Sequence, residues 1–407
     1  RFESFGWQTA VVNGHKISEI LNALKKAGKS KKPFAIIAKT LKGKGVSFLE
    51  NKEGWHGKPL NEKELEKALK EIKEIDITLK SNVSFPEKYN YDIKEIQKNN
   101  YALGELIATR DAFGKALVSL GNKNNNIIII DGDVKDSTRT LEFFKAFPKR
   151  SFDAFIAEQC MTGMAMGFSA LGFIPFVTTF SAFLTRAHDF IRMAAYSNAN
   201  IKFIGSHSGI SIGEDGPSQM GLEDISMFLS IPNSVILYPS DAVSTEALVE
   251  KMAMHKGISY LRTTRPKTPV IYNNKEEFKI GGLKILRKSN TDKALVIAAG
   301  ITLHEALKAY NLLQNKGINI RVIDLYSLKP IDSKSLIQNA KECNNNIIVV
   351  EDHYLGGIGS IVSSIIGKIK HLYIKDIPRS GKPEELMHKY EIDADAIVRE
   401  VTAYKNI

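Results

Sequence analysis

Ile127-Ile128-Ile129-Ile130-Asp131-Gly132-Asp133 sets four β-branched apolar residues in a row and ends them on an acidic, glycine-broken turn. A run without alternation suits a strand buried on both faces, as in a parallel sheet covered by helices on either side. The pattern recurs along the chain. From about Leu106 to Asn273 it predicts strands at Ile127–Ile130, Phe152–Ile156, Ile174–Thr178, Ile201–Gly205, Ser234–Tyr238 and Ser259–Arg262, with helical stretches between most of them. From about Gly282 onward the scheme repeats at Ala294–Ala298, Asn319–Asp324, Ile347–Val350 and His371–Ile374. Upstream, Thr9–Val12 and Phe34–Ala38 flank a helical pattern near Ile17–Ala27, and a charged helix is expected over Glu62–Ile75. This alternation predicts an α/β fold: two complete parallel-sheet domains, 105–275 and 282–407, plus the remnant of a third over 1–75. The Lys-, Asn- and Ser-rich stretch 76–104 reads as a linker.

A chain of 407 residues exceeds what a single core supports, in keeping with that division. Cys160 and Cys343 stand far apart without metal-type spacing, which leaves no disulfide framework and no thiolate zinc site and suits a reducing cytoplasm. No apolar run approaches the roughly 20 residues of a bilayer span, so a membrane location is not expected. The net charge of +11 comes without a basic stripe interleaved with aromatics, which argues against nucleic acid as a partner. An excess of lysine still favours anionic metabolites.

In parallel sheets, ligands gather at the carboxyl ends of strands. Four such ends are rich here: Asp131-Gly132-Asp133, Ala157-Glu158-Gln159, the loop Ser206 to Gln219, and Arg262 to Arg265. Glu158 is expected to end a strand and open a small-residue helix. Phe180 and Phe183, three residues apart, are expected on one helical face, where they offer a flat wall for an aromatic ring while Glu158 bonds a ring nitrogen. Arg110, Ser137 and Arg265 each lie beside an expected strand end or helix start, where a guanidinium or hydroxyl meets a phosphate. Taken singly, these residues have plainer readings. Glu158 alone is a carboxylate stabilised by a helix N-terminus, the phenylalanines alone are core, each arginine alone is a surface ion pair, and His56 alone is a loop histidine.

Ala157-Glu158-Gln159, Gly213-Glu214-Asp215-Gly216-Pro217, Trp55-His56-Gly57-Lys58-Pro59 and Pro378-Arg379-Ser380-Gly381 together resemble transketolase, closest to its animal-type branch, over essentially the whole chain. The resemblance implies a pyrimidine-binding domain over 105–275, a C-terminal transketolase domain over 282–407, and a remnant of the diphosphate-binding domain over 1–75. It implies a two-carbon ketol transfer between sugar phosphates in the pentose phosphate pathway, with thiamine diphosphate as cofactor. Glu158 would then protonate the pyrimidine ring, with His56 as a second catalytic group. Lys42, His56, Asp133, Phe180, Phe183 and Gln219 would contact the cofactor. Lys58, Arg110, Ser137, His207, Asp215 and Arg265 would contact the sugar phosphate. Gln219 stands where yeast-like and plant-like members carry histidine and the animal-type branch carries glutamine.

The family's Gly-Asp-Gly to Asn segment, which binds Mg2+ or Ca2+ and the diphosphate, is expected upstream of Arg1. No metal ligand is therefore expected within these residues, and ketol transfer is expected to fail without that segment. The implied assembly is a homodimer with shared active sites, or a complex with a separate N-terminal subunit. Other thiamine-diphosphate enzymes of the same domain order, such as deoxyxylulose-phosphate synthase, and a non-catalytic dimerisation or partner-binding fragment are the competing readings.

Overall fold

The computed structural model describes residues 1–72, 78 and 99–404. Most of the expected linker, and the end of the helix expected over Glu62–Ile75, lie outside the described residues. The chain divides into two compact units, Arg1–Phe85 and Pro86–Ile407.

In the first unit, strands β1 (Gln8–Asn13) and β2 (Phe34–Lys39) pair in parallel, with the helix Ile17–Lys29 between them in sequence. A second helix, Glu62–Glu71, starts where the Asn61 side chain accepts from the Glu64 N–H and the Glu64 carboxylate accepts from the Asn61 N–H. That reciprocal cap satisfies two donors that a helix end otherwise leaves orphaned. Among the described residues of this unit, Leu21, Leu24, Leu65 and Leu69 on its helices stay exposed.

Among the described residues the second unit holds fourteen further strands in chain order: β3 (Leu106–Ala108), β4 (Ile127–Asp131), β5 (Ser151–Asp153), β6 (Ile174–Phe180), β7 (Lys202–Ser206), β8 (Val235–Leu237), β9 (Ser259–Arg262), β10 (Lys267–Pro269), β11 (Lys284–Arg287), β12 (Leu295–Ala298), β13 (Arg321–Asp324), β14 (Ser327–Lys329), β15 (Ile347–Val350) and β16 (Lys370–Leu372). A seven-stranded sheet runs β14-β8-β9-β7-β6-β4-β5, parallel except for β14 at its edge. A five-stranded sheet runs β11-β13-β12-β15-β16, parallel except for β11 at its edge. β3 and β10 form a separate antiparallel pair.

The interior strands match the sequence reading because both of their faces are buried. Along β4, Ile127 and Ile129 enter one core while Ile130 enters another that continues to Leu295, Ile297 and Val349 of the second sheet. Burying each such side chain stabilises the fold by roughly 1.5–3 kcal/mol. The expectation differed at the antiparallel strands β3, β10, β11 and β14, which it did not include. They are three or four residues each, and an edge strand needs no continuous apolar run. The strand expected over Phe152–Ile156 stops at Asp153, because Phe155 takes φ +55° and its N–H turns to the Asp153 carboxylate, 3.0 Å away.

Candidate active site

Asp131, the last residue of β4, is fully buried and anchors the loop that follows. Its carboxylate accepts from Thr178 Oγ1 (2.5 Å), Thr138 Oγ1 (2.7 Å), Thr140 Oγ1 (3.0 Å) and the Val134 N–H (2.8 Å). Burial pushes this carboxyl above its ordinary range, against the pull of those four donors. The anchored loop carries Asp133, at φ +65°, and Ser137. Sequence reasoning named Asp131 only as part of the strand end Asp131-Gly132-Asp133 and gave it no role of its own. The available signal was an aspartate closing an all-isoleucine strand with threonines seven and nine residues later.

Glu158 opens the helix Glu158–Ala170 and has only 5% of its side chain exposed. It follows a four-residue link after β5, not a strand end directly, which corrects the expectation. Among the described residues its Oε2 has no hydrogen-bond donor, and Arg186 Nη1 lies 3.5 Å away on a side chain that is 66% exposed. A buried carboxylate oxygen left open is costly unless something donates to it. It borders a cavity of about 610 Å3 lined also by Gly132, Asp133, Phe183, Arg186 and Ser218.

Phe180 and Phe183 do not share a helical face: Phe180 ends β6 and Phe183 opens a short 3-10 turn. The turn still brings their rings to 5.0 Å with 8° between planes. The stack continues to His207, whose ring lies 3.8 Å from that of Phe180 at 10°. The cavity thus combines an aromatic wall with a buried acceptor, which fits a flat heteroaromatic ring carrying a protonated nitrogen.

At the far end of the stack lies a group of guanidinium ions. His207 is 2% exposed and takes φ +56°. Its Nε2 faces Arg110 Nη1 at 3.2 Å and its Nδ1 faces Ser206 Oγ at 2.9 Å. Since Arg110 can only donate, Nε2 accepts and the proton sits on Nδ1. Burial, then the charges of Arg110, Arg265 and Arg139, lowers the imidazole from 6.5 to about 3. Arg110 also donates to Ser137 O at 3.1 Å, while its Nε has no partner. Burial, followed by the like charge of Arg139, lowers its pKa as well. Arg265 reaches Asp215 Oδ1 at 3.0 Å and Ile212 O at 3.1 Å. Like charges gathered this way favour an anion between them.

Arg139 was missed by sequence reasoning. It sits two residues after Ser137, at φ +67°, and pairs with Asp111 at 2.6 Å. Gln219 is half-buried, and its Oε1 is buried without a donor. Arg110, Ser137, His207, Asp215 and Arg265 are therefore brought together, and Glu158, Asp133 and Phe183 line one cavity. Lys42, His56 and Lys58 all lie in the first unit, exposed, with Lys58 Nζ 4.6 Å from the Trp55 ring centroid.

Comparison with known proteins matches residues 1–105 to the transketolase thiamine diphosphate binding domain, 105–270 to the transketolase pyrimidine binding domain and 281–397 to the transketolase C-terminal domain. Mouse transketolase-like protein 2 is 48% identical and human transketolase 46% identical, each over 98% of this chain. The chain spans 66% of the length of both. Bovine transketolase-like protein 1 is 45% identical over 98% of this chain and 69% of its own length. Among solved structures, a transketolase from Campylobacter jejuni shares the fold with TM-score 0.82 at 23% identity, over 99% of this chain and 68% of that one. A split-gene transketolase, solved as an inactive beta4 tetramer, matches with TM-score 0.66 at 35% identity, over 73% of this chain and 97% of its own.

Proposed function

The chain belongs to the transketolase family, and from that premise we propose that it takes part in reversible ketol transfer. The donor is a ketose phosphate such as xylulose 5-phosphate, the acceptor an aldose phosphate such as ribose 5-phosphate, and the setting the cytoplasmic pentose phosphate pathway. The observation that carries this reading is the open, buried Glu158 Oε2 beside a cavity whose aromatic wall leads, ring upon ring, to the arginine cluster. Thiamine diphosphate, when bound, supplies the carbon nucleophile.

The protein's own residues supply position and protons. Glu158 takes the hydrogen bond of a protonated ring nitrogen and holds that proton in place. Phe183 and Phe180 would hold the flat ring of the cofactor, and Asp133 and Gln219 would be further contacts to it. His207, kept neutral by its surroundings, contacts a sugar hydroxyl without adding charge, and Asp215 contacts a second polar group of the sugar. Arg110, Arg265 and Ser137 hold the phosphate.

Lys42 and His56 serve the diphosphate end, His56 also in catalysis, and Lys58 the substrate. The domain limits follow as 1–75, 105–275 and 282–407. Mg2+ or Ca2+ would accompany the cofactor diphosphate, with its ligands outside these 407 residues, which span 66% of the length of human transketolase. The inactive beta4 tetramer of a split-gene relative supports the expectation that the 407 residues alone do not transfer ketol units. The working assembly is a dimer with shared sites, or a complex with a separate N-terminal subunit.

The test is Glu158→Gln in an assembly that transfers ketol units from xylulose 5-phosphate to ribose 5-phosphate. The circular dichroism spectrum should be unchanged and turnover should fall by about 10²–10⁴, the usual contribution of a positioned acid or base. Turnover close to wild type would remove Glu158 from the mechanism.

A further inference from the structure

The loop from Ser206 to Gly221 leaves the end of β7, yet its packing belongs to the other sheet. Ile210, Ile212, Met220 and the adjoining Leu222 are all 0–1% exposed and sit in the core built on β12, β13 and β15, with Val296, Leu303, Val350 and Leu386. One polar group from that side meets the loop backbone. Asp352, two residues beyond β15 and fully buried, accepts the Ile210 N–H at 2.7 Å. Gly209 takes φ +78°, and a Cβ there would collide with the Asp352 carboxylate. The approach therefore needs both the left-handed backbone and the missing side chain.

The ends of the loop are tied to the same place. Arg262 Nη2 donates to Asp352 O and to Gly221 O, at 2.8 Å each, and the Tyr354 N–H reaches Leu222 O at 3.2 Å. Between these ties hang the contacts of the anion cluster: Ile212 O and Asp215 Oδ1, both on Arg265 Nη1.

We infer that Asp352 is a positioning residue for the phosphate site, and that the domain carrying it is the template on which the substrate loop is shaped. The inference rests on the reading of Arg110, Arg265 and Ser137 as the phosphate grip. A buried carboxylate is a poor device for stability, since a well-packed apolar residue serves as well or better. Among the described residues Oδ2 has no donor within hydrogen-bond geometry, and burial pushes the carboxyl above its ordinary range, opposed first by the charge of Arg262 and then by the loop at Ile210 and Ser211. What the carboxylate does provide is a directional acceptor. It fixes Ile210 two residues before the carbonyl that meets Arg265 and five before Asp215.

The test compares Asp352→Leu, Asp352→Asn and Gly209→Ala in the assembled enzyme. Asp352→Leu should raise the KM for ribose 5-phosphate about tenfold with kcat little changed, and should speed hydrogen exchange at Ile210–Asp215 about tenfold while β4 and β6 keep their protection. Asp352→Asn keeps an acceptor for the Ile210 N–H and should stay within about threefold of wild type on both measures. If the leucine variant does not fold, Gly209→Ala presses on the same contact from the loop side and should give the same split of KM from kcat. An unchanged KM and unchanged loop exchange, or a loss of thermal stability alone, would overturn the inference. A wild-type enzyme without ketol transfer counts against the transketolase reading instead. The inference would then stand if Asp352→Leu binds inorganic phosphate at least about tenfold more weakly than wild type in calorimetry, and fall if the affinities match.

Discussion

Replacing His207 by asparagine should remove part of the acid sensitivity of the protein. The imidazole goes from an ordinary 6.5 to about 3 in the folded state. Between those two values the unfolded chain binds a proton that the folded one refuses, so stability falls as pH falls through 6.5. Each unit costs about 1.4 kcal/mol, and the unfolded group starts to charge only near 6.5, so the loss from pH 8 to pH 5 comes to about 2 kcal/mol. Asparagine tolerates the left-handed backbone at this position, φ +56°, and does not titrate. Urea unfolding at pH 8 and pH 5 provides the measurement, because other titrating groups cancel between wild type and variant. The variant should lose about 2 kcal/mol less on acidification. Saturating inorganic phosphate should shrink the difference, because an anion among Arg110, Arg139 and Arg265 screens the charges that, after burial, hold the ring neutral. An NMR signal of the His207 ring that titrates near 6.5, or equal acid sensitivity in the two proteins, would refute the arrangement.

Arg265→Ala should raise KM for phosphorylated acceptors by the equivalent of about 1.5–3 kcal/mol and leave an unphosphorylated acceptor such as glycolaldehyde almost unaffected. Equal losses for both would make Arg265 a structural residue. Asp131→Ala should cost about 1–3 kcal/mol in urea unfolding, because it strands the hydroxyls of Thr138, Thr140 and Thr178, and should speed proteolysis between residues 132 and 140. Unchanged cleavage there would show that the loop has another anchor. Arg186→Ala should change stability by less than about 0.5 kcal/mol, since its pairing with Glu158 is made from an exposed side chain. A larger loss would mean that the pair organises the cavity.

The legible parts of this fold are those where a single physical demand acts along the chain. A strand covered on both faces must be apolar at every position, so Ile127–Ile130 and Ile347–Val350 stand out without any knowledge of their partners. Strands β3, β10, β11 and β14 face no such demand, and their pairing is decided by segments that the local sequence does not mention. β14, for instance, crosses from the second sheet's part of the chain to pair with β8. The aromatic wall was legible for a partly wrong reason. A spacing of three suggested a helical face, and a strand end followed by a tight turn delivers the same proximity.

The candidate site divides along the same line. Glycine and titratable residues packed into Ser206–Gln219 mark the loop as one with work to do, because a plain connection needs neither. Nothing in that stretch announces what holds it. Its polar anchor is Asp352, 142 residues from Ile210, and the arginine that ties both is Arg262, from a third part of the chain. Groups that meet a ligand are concentrated at strand ends by the geometry of a parallel sheet, and so can be found by looking there. Groups that fix the ligand-meeting residues need only be adjacent in space, and the sequence carries no local trace of that adjacency. Buried polar atoms without a hydrogen bond among the described residues, Glu158 Oε2 and Arg110 Nε among them, are visible only once the fold has closed around them.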